Sequence, residues 1–318
     1  MVSAPLNHAA TAARPSLPGA VLAAVGQPYL LLVYAVILWC GNGIVGRAFG
    51  PDISPLTLSF WRWTIAFALL LPTSFRTVWR LRALIGRHWR LLLLYSVLGL
   101  VGCNVLTYAA LHDTTAVNSS LMNSTTPIFV MCLSFALYRD RIEPRQLFGV
   151  AVSLSGVLAI VSGGRLDSLG ALAINRGDLM MLAAIGLWSA YTVVLRRKPE
   201  GIPAMAFLTV LVGIGMLLEL PFYLAECVLV GVVRPTVPNL LAIGYVAVFP
   251  AVIALYFWNR AVAALGANRA APFVHLMPVF GTGLAVLLLG EPIDIHHAAG
   301  MALIFAGVTL ASRKRAAA

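Results

Sequence analysis

The chain has 318 residues, of which 60% are hydrophobic and 10% charged, with a mean hydropathy of +0.91. A soluble domain is about 45–50% apolar and about 25% charged, so a water-exposed globular fold is excluded and the bilayer is the solvent to reason with. The formal net charge is +11, but most of it falls in short connecting stretches, where it fixes topology and meets anionic headgroups rather than marking a nucleic-acid binder.

Residues 1–26 carry scattered Ala and Pro and the single basic residue Arg14. With no positive stretch leading to a small-residue cleavage site, they read as a mobile tail and not a signal peptide. Charge-poor stretches follow at 27–46, 53–75 (broken by Arg62), 91–112, 114–138, 146–164, 179–195, 201–225 (broken by Glu219), 235–259, 270–290 and 295–312. Each is near the ~20 residues an α-helix needs to cross about 30 Å of hydrocarbon. The period-2 alternation of a β-barrel is absent. The expectation is an all-α integral membrane protein of ten transmembrane helices, with an extracytoplasmic linker at 165–177 and a basic tail at 313–318.

The chain also repeats itself. Residues 110–157 superimpose on 261–308 without a gap at an offset of 151, placing Pro127 on Pro278, Phe129 on Phe280, Asp140 on Glu291, Gly149 on Gly300 and Gly156-Val157 on Gly307-Val308. Earlier, an offset of 149 places Leu38, Trp39, Val45 and Arg47 on Leu187, Trp188, Val194 and Arg196. The predicted units are therefore 27–164 and 178–312, five helices each. An odd number of helices forces the second unit to insert upside down, which is the sequence mark of secondary transporters with a central site. Basic residues agree: with a cytoplasmic N-terminus, 17 of the 22 Lys and Arg fall on the inside. This points to a multi-pass protein of the cytoplasmic membrane with both termini inside.

The stretch from Ala116 to Gly163 and its copy from Ala271 to Ser312 resemble the helix 4 to helix 5 signature of the EamA domain family, in the drug/metabolite transporter superfamily. Pro127, Asp140 and Gly149, then Pro278, Glu291 and Gly300, take the family's proline, acidic and glycine places. The first and sixth helices also resemble the pattern, as ILWCGNGIVGR and GLWSAYTVVLRR. Asp140 stands where the family usually has Glu. The resemblance covers nearly all of 27–315 and implies ten helices, alternating access, and export or exchange of small metabolites, often amino acids.

Polar side chains at membrane depth are costly and tend to face the protein interior. Candidate substrate-binding residues are Trp39 and Asn42 on the first helix, Asn104 and Tyr108 on the third, and Ser119 and Asn123 on the fourth. The second unit adds Trp188, Tyr191, Tyr256 and His275. The alternative for each is helix-to-helix glue or an interfacial anchor. Together they describe a neutral, aromatic-lined pocket. Pro127 and Pro278, at equivalent positions, are candidate hinges; mere kinks are the alternative. Glu219 and His275 are candidate proton-coupling groups. Snorkelling to the outer headgroups is the preferred reading of Arg62.

Sparse interior charge argues against strongly anionic substrates and favours neutral or zwitterionic metabolites, with amino acids first. Export of lipophilic cations or drugs with proton antiport is the alternative. An intramembrane lipid-modifying enzyme is a remote one, because carboxylates are scattered and no nucleophile, catalytic or metal motif is present. No cofactor is expected. Expected partners are the small-molecule substrate and membrane lipid, and no nucleic acid. The small residues Gly149, Ser153, Gly156, Gly300 and Gly307 permit close helix contact, either within a monomer or in a homodimer.

Overall fold

A computed structural model describes residues 27–48, 53–113, 122–162, 176–289 and 295–312. The expected tails at 1–26 and 313–318, most of the linker, and Ser119 lie outside the described residues. Helix α1 spans Pro28–Ala48 and α2 spans Pro55–Arg80. Ser54 caps α2 by accepting from the Thr57 amide, and Pro55 opens it, where a missing N–H costs nothing. After the short helix Arg82–Arg87, α3 runs as Trp89–Tyr95, a π-helical turn Ser96–Gly102, and Cys103–Asp113. Then come α4 (Thr126–Tyr138), α5 (Pro144–Val161), α6 (Arg176–Val194) and α7 (Ala204–Leu229). Next is α8, which runs as Val237–Val246, a π-helical turn Ala247–Ala254, and Leu255–Leu265. Helix α9 comprises Ala267–Ala270, a 3-10 turn Ala271–His275 and Leu276–Leu289, and α10 is Ile295–Ser312.

Among the described residues, six stretches are long and apolar enough to cross a membrane, against the ten expected: Pro55–Arg80, Trp89–Leu111, Arg176–Arg197, Ala204–Leu229, Val237–Leu265 and Ile295–Ser312. Pro28–Asn42 and Thr126–Tyr138 are shorter apolar helices. No strand occurs among the described residues. In lipid this is the expected outcome, because a helix satisfies its backbone hydrogen bonds within one segment.

The packing has a pattern. Helix α5 lies along α10 and α2 along α7, while α3 rests on α6, α8 on α1, α4 on α6, and α9 on α1. Exchanging α1 with α6, α2 with α7, α3 with α8, α4 with α9 and α5 with α10 maps these six pairings onto one another, whereas α9 also packs on α5 and α10 where α4 has no contact of like extent with α10 or α5 among the described residues. The irregular turns obey the same exchange: the offset of 151 carries Ser96, where the first π turn starts, onto Ala247, where the second starts. Pro127 is not a mid-helix kink. A turn at Ser124 and Thr125 precedes it, and α4 starts afresh with Pro127 in its first turn. In α9 the chain changes pitch in the same way, from a 3-10 turn to an α-helix just before Pro278. A proline lacks the N–H to continue a ladder and disfavours helical geometry before it, so the helix restarts instead of bending.

The small-residue stripes are used inside the chain, between α5 and α10. A Cβ on Gly149 would lie 2.6 Å from the Ala311 amide nitrogen and 2.7 Å from the Gly307 carbonyl oxygen. One on Gly156 would lie 2.6 Å from the Gly300 carbonyl oxygen, and one on Gly307 would strike the Ser153 amide nitrogen. The backbones are therefore in direct contact, which is how helices gain packing energy in a solvent as apolar as their own side chains. Gly307→Ala should lower stability by about 1–3 kcal/mol through overpacking. Gly244→Ala, whose Cβ would meet nothing within 4 Å, should be neutral or slightly stabilising; thermal unfolding in nanodiscs compares the two.

Candidate functional site

The structure divides the expected site residues among three neighbourhoods. In the first, the repeat-matched indoles of Trp39 on α1 and Trp188 on α6 meet edge to face with centroids 5.2 Å apart. Trp258 on α8 joins them at 5.2 Å from Trp39 and 5.8 Å from Trp188, and Tyr191 lies 5.2 Å from Trp188. Trp258 and Tyr191 are fully buried. The Trp39 indole N–H donates to the Pro250 carbonyl, in the π turn of α8, at 3.3 Å.

The second neighbourhood is polar and corrects the sequence reading of Arg62. Its side chain does not snorkel: it is only 3% exposed, because acceptors lie within reach inside the bundle. Nη1 donates to Asn104 Oδ1 at 2.7 Å and to the Tyr108 hydroxyl oxygen at 3.0 Å, and Tyr108 in turn donates to Asn42 Oδ1 at 2.9 Å. The guanidinium also sits 4.6 Å from the centroid of the Trp63 ring. Asn104 is itself held, donating to the Leu100 carbonyl at 2.7 Å. Three of the expected residues are thus brought together around a cation that sequence reasoning had assigned to the headgroups.

This chain of bonds has a counterpart. The offset of 149 carries Asn42 onto Tyr191, and that of 151 carries Tyr108 onto Asn259. Tyr108 donates to Asn42 at 2.9 Å, and Tyr191 donates to Asn259 Oδ1 at 2.7 Å. The same Tyr-to-Asn bond joins α1 to α3 and α6 to α8, with the two residue types exchanged. Asn259 was missed in the sequence, though applying the repeat offset to Tyr108 points straight at it.

The third neighbourhood centres on His275, which is fully buried. Its Nε2 donates to the Ser124 carbonyl at 2.7 Å, and its Nδ1 faces the Ser153 hydroxyl. Because a carbonyl only accepts, the Nε2 nitrogen carries a proton. Ser124 and His275 are themselves repeat equivalents, so the two broken helices α4 and α9 touch at matching points beside Pro127 and Pro278. Asn123 is half-buried, and its carbonyl accepts from the Thr126 hydroxyl at 2.7 Å. Tyr256 packs on the same apolar cluster, its ring centroid 6.2 Å from that of Phe257.

Glu219 lies in the seam of α2 and α7, 1% exposed, where Oε1 accepts from the Ser59 hydroxyl at 2.8 Å. The same seam joins Thr57 to Glu226 at 2.7 Å, Trp61 to Tyr223 at 3.1 Å, and Ser74 to Thr209 at 2.7 Å.

Comparison with known proteins adds an independent line. The model of the EamA-like transporter family matches the chain twice, over residues 27–162 and 175–313. An "uncharacterized transporter" of Archaeoglobus fulgidus is 30% identical over 302 residues, covering 91% of this chain and 98% of that protein. The uncharacterized transporter YetK of Bacillus subtilis is 28% identical, covering 88% and 85%. A "probable amino-acid metabolite efflux pump" of Salmonella typhimurium is 26% identical, covering 60% and 65%. A solved crystal structure shares the fold, with a TM-score of 0.70 at 21% identity, covering 90% of this chain and 96% of its own.

The contact between Trp39 and Trp188 should be measurable as a coupling energy. A double-mutant cycle of Trp39→Leu and Trp188→Leu, read by thermal unfolding in nanodiscs, is expected to give about 0.5–1.5 kcal/mol.

Proposed function

We propose that this chain, which belongs to the EamA-like transporter family of membrane transporters, is a secondary carrier built as two inverted five-helix repeats. It moves small neutral or zwitterionic metabolites, amino acids first, across the cytoplasmic membrane by alternating access. The observation that carries this reading is the exchange symmetry of the interior: six of the main helix pairings, the π turns and the Tyr-to-Asn bonds recur when the halves are swapped. A carrier needs two states of similar energy, and two like halves that can each adopt the other's arrangement supply them.

The family and the printed names of relatives are those of transporters, which weighs against the lipid-modifying enzyme. The amino-acid reading draws support from the Salmonella relative and a similarly named Escherichia coli protein at 24% identity. The distribution of Lys and Arg supports cytoplasmic termini. Helices α4 and α9 restart at Pro127 and Pro278, and rocking about these points would open one face while closing the other. The buried carboxylate of Glu219, with Oε2 unpartnered, favours proton antiport as a second reading, with a lipophilic cation as cargo.

Counterflow in proteoliposomes, with labelled neutral and aromatic amino acids and no pH gradient, tests the carrier. Saturable exchange is expected, with Trp188→Ala lowering it roughly tenfold or more; flux that never saturates, or that needs a proton gradient, overturns this reading. Replacing both Pro127 and Pro278 with Ala should slow exchange by about tenfold while leaving substrate binding intact, because it touches the conformational step.

A further inference from the structure

Buried polar groups in the bundle are not balanced. Among those without a hydrogen-bond partner are three nitrogen donors of the central cluster, Arg62 Nε, Trp63 Nε1 and Trp258 Nε1. The nearby orphan acceptor is Glu219 Oε2. Nη1 makes both of the hydrogen bonds of Arg62, to Asn104 and Tyr108, and neither partner is charged. The edge formed by Nε and Nη2 is left over, and that edge is the fork by which a guanidinium takes a carboxylate in two parallel bonds. No carboxylate of the described residues forms an ion pair with it. Glu219 instead answers Ser59, one turn earlier on α2.

A charge at 3% exposure with no carboxylate in direct contact is expensive, and where it persists it marks a site that something else completes. What adjoins it tells the ligand's other end. Asn42, which closes the Arg62 chain, lies one turn from Trp39 on α1, a rise of about 4.5 Å. On α3 the Asn104 amide reaches back to Leu100, and the preceding Gly99 abuts the Tyr191 ring, 2.5 Å from where a Cβ would stand. The guanidinium and the indole centre are neighbours on two helices.

We propose that Arg62 is the carboxylate-receiving residue of the transport site. Its ligand is a monocarboxylate with an apolar or aromatic body, the carboxylate on the Nε and Nη2 edge and the body against Trp39, Trp188 and Trp258. An aromatic amino acid satisfies this, as does the corresponding acid without its amine. The inference rests on the carrier reading for its physiological meaning but makes a claim about binding alone.

The test compares matched acids and amides on the full-length protein in nanodiscs, by thermal stabilisation titrated to an apparent Kd: phenylalanine against phenylalaninamide, and 3-phenylpropionate against 3-phenylpropionamide. The acids should bind about tenfold more tightly or better. Arg62→Gln should erase that preference, and Arg62→Lys, which keeps charge but loses the fork, should retain only part of it. Glu219→Gln should keep it. Equal affinity for acid and amide in the wild type, or binding of neither, overturns the proposal; this comparison stands even if Arg62→Gln fails to fold. Loss of the preference in Glu219→Gln to the same extent also overturns it, because Arg62 would then answer to Glu219. Acid-selective binding without counterflow would sink the carrier and leave the site, whereas counterflow indifferent to the carboxylate would do the reverse.

Discussion

Polar groups in a lipid-embedded bundle have no water to fall back on, so each must be answered by another part of the protein. Here the answers come repeatedly from the opposite half of the chain. Trp39 bonds to Pro250, Ser59 to Glu219, Ser74 to Thr209, and His275 to Ser124. Tyr95 reaches the Val194 carbonyl and Ser96 that of Leu211. Each bond is modest by itself, but together they fix which helix faces which.

Where the halves approach most closely, polar side chains give way to bare backbone. Gly149, Gly156 and Gly307 leave room for α5 and α10 to touch main chain to main chain, and the polar bonds between the halves lie elsewhere. A tight seam of small residues thus lies on one side and a polar, aromatic centre on the other. His275 stands at the border, bonded to α4 through Ser124 and facing Ser153 of α5.

Much of this was legible in the chain, because lipid enforces simple rules. Apolar stretches of helical length gave the helices, and the offsets that match Trp39 to Trp188 and Pro127 to Pro278 picked out residues that do meet or lie at matching breaks. What escaped was anything that depended on the partner's position. Arg62 looks the same in sequence whether it snorkels or is buried, and only the placement of Asn104 and Tyr108 beside it decides. Trp258 and Asn259 read as an ordinary helix end, because their role follows from contacts with α1 and α6. The restart at Pro127 was hidden because a proline in an apolar run reads as a kink.

The two π turns carry a consequence of their own. Such a turn holds one residue more than an α-helix needs, and the excess rotates everything beyond it by about 100°. In α3 that rotation aims Asn104 and Tyr108 at Arg62; in α8 it aims Asn259 at Tyr191. Both halves carry the surplus at matched positions, so they stay in phase with each other. A chain that lost the extra residue from one turn alone would keep its helices, yet the residues beyond that turn would no longer face the same way as their matches in the other half. The symmetry of the bundle therefore resides in a shared irregularity rather than in the regular helices around it.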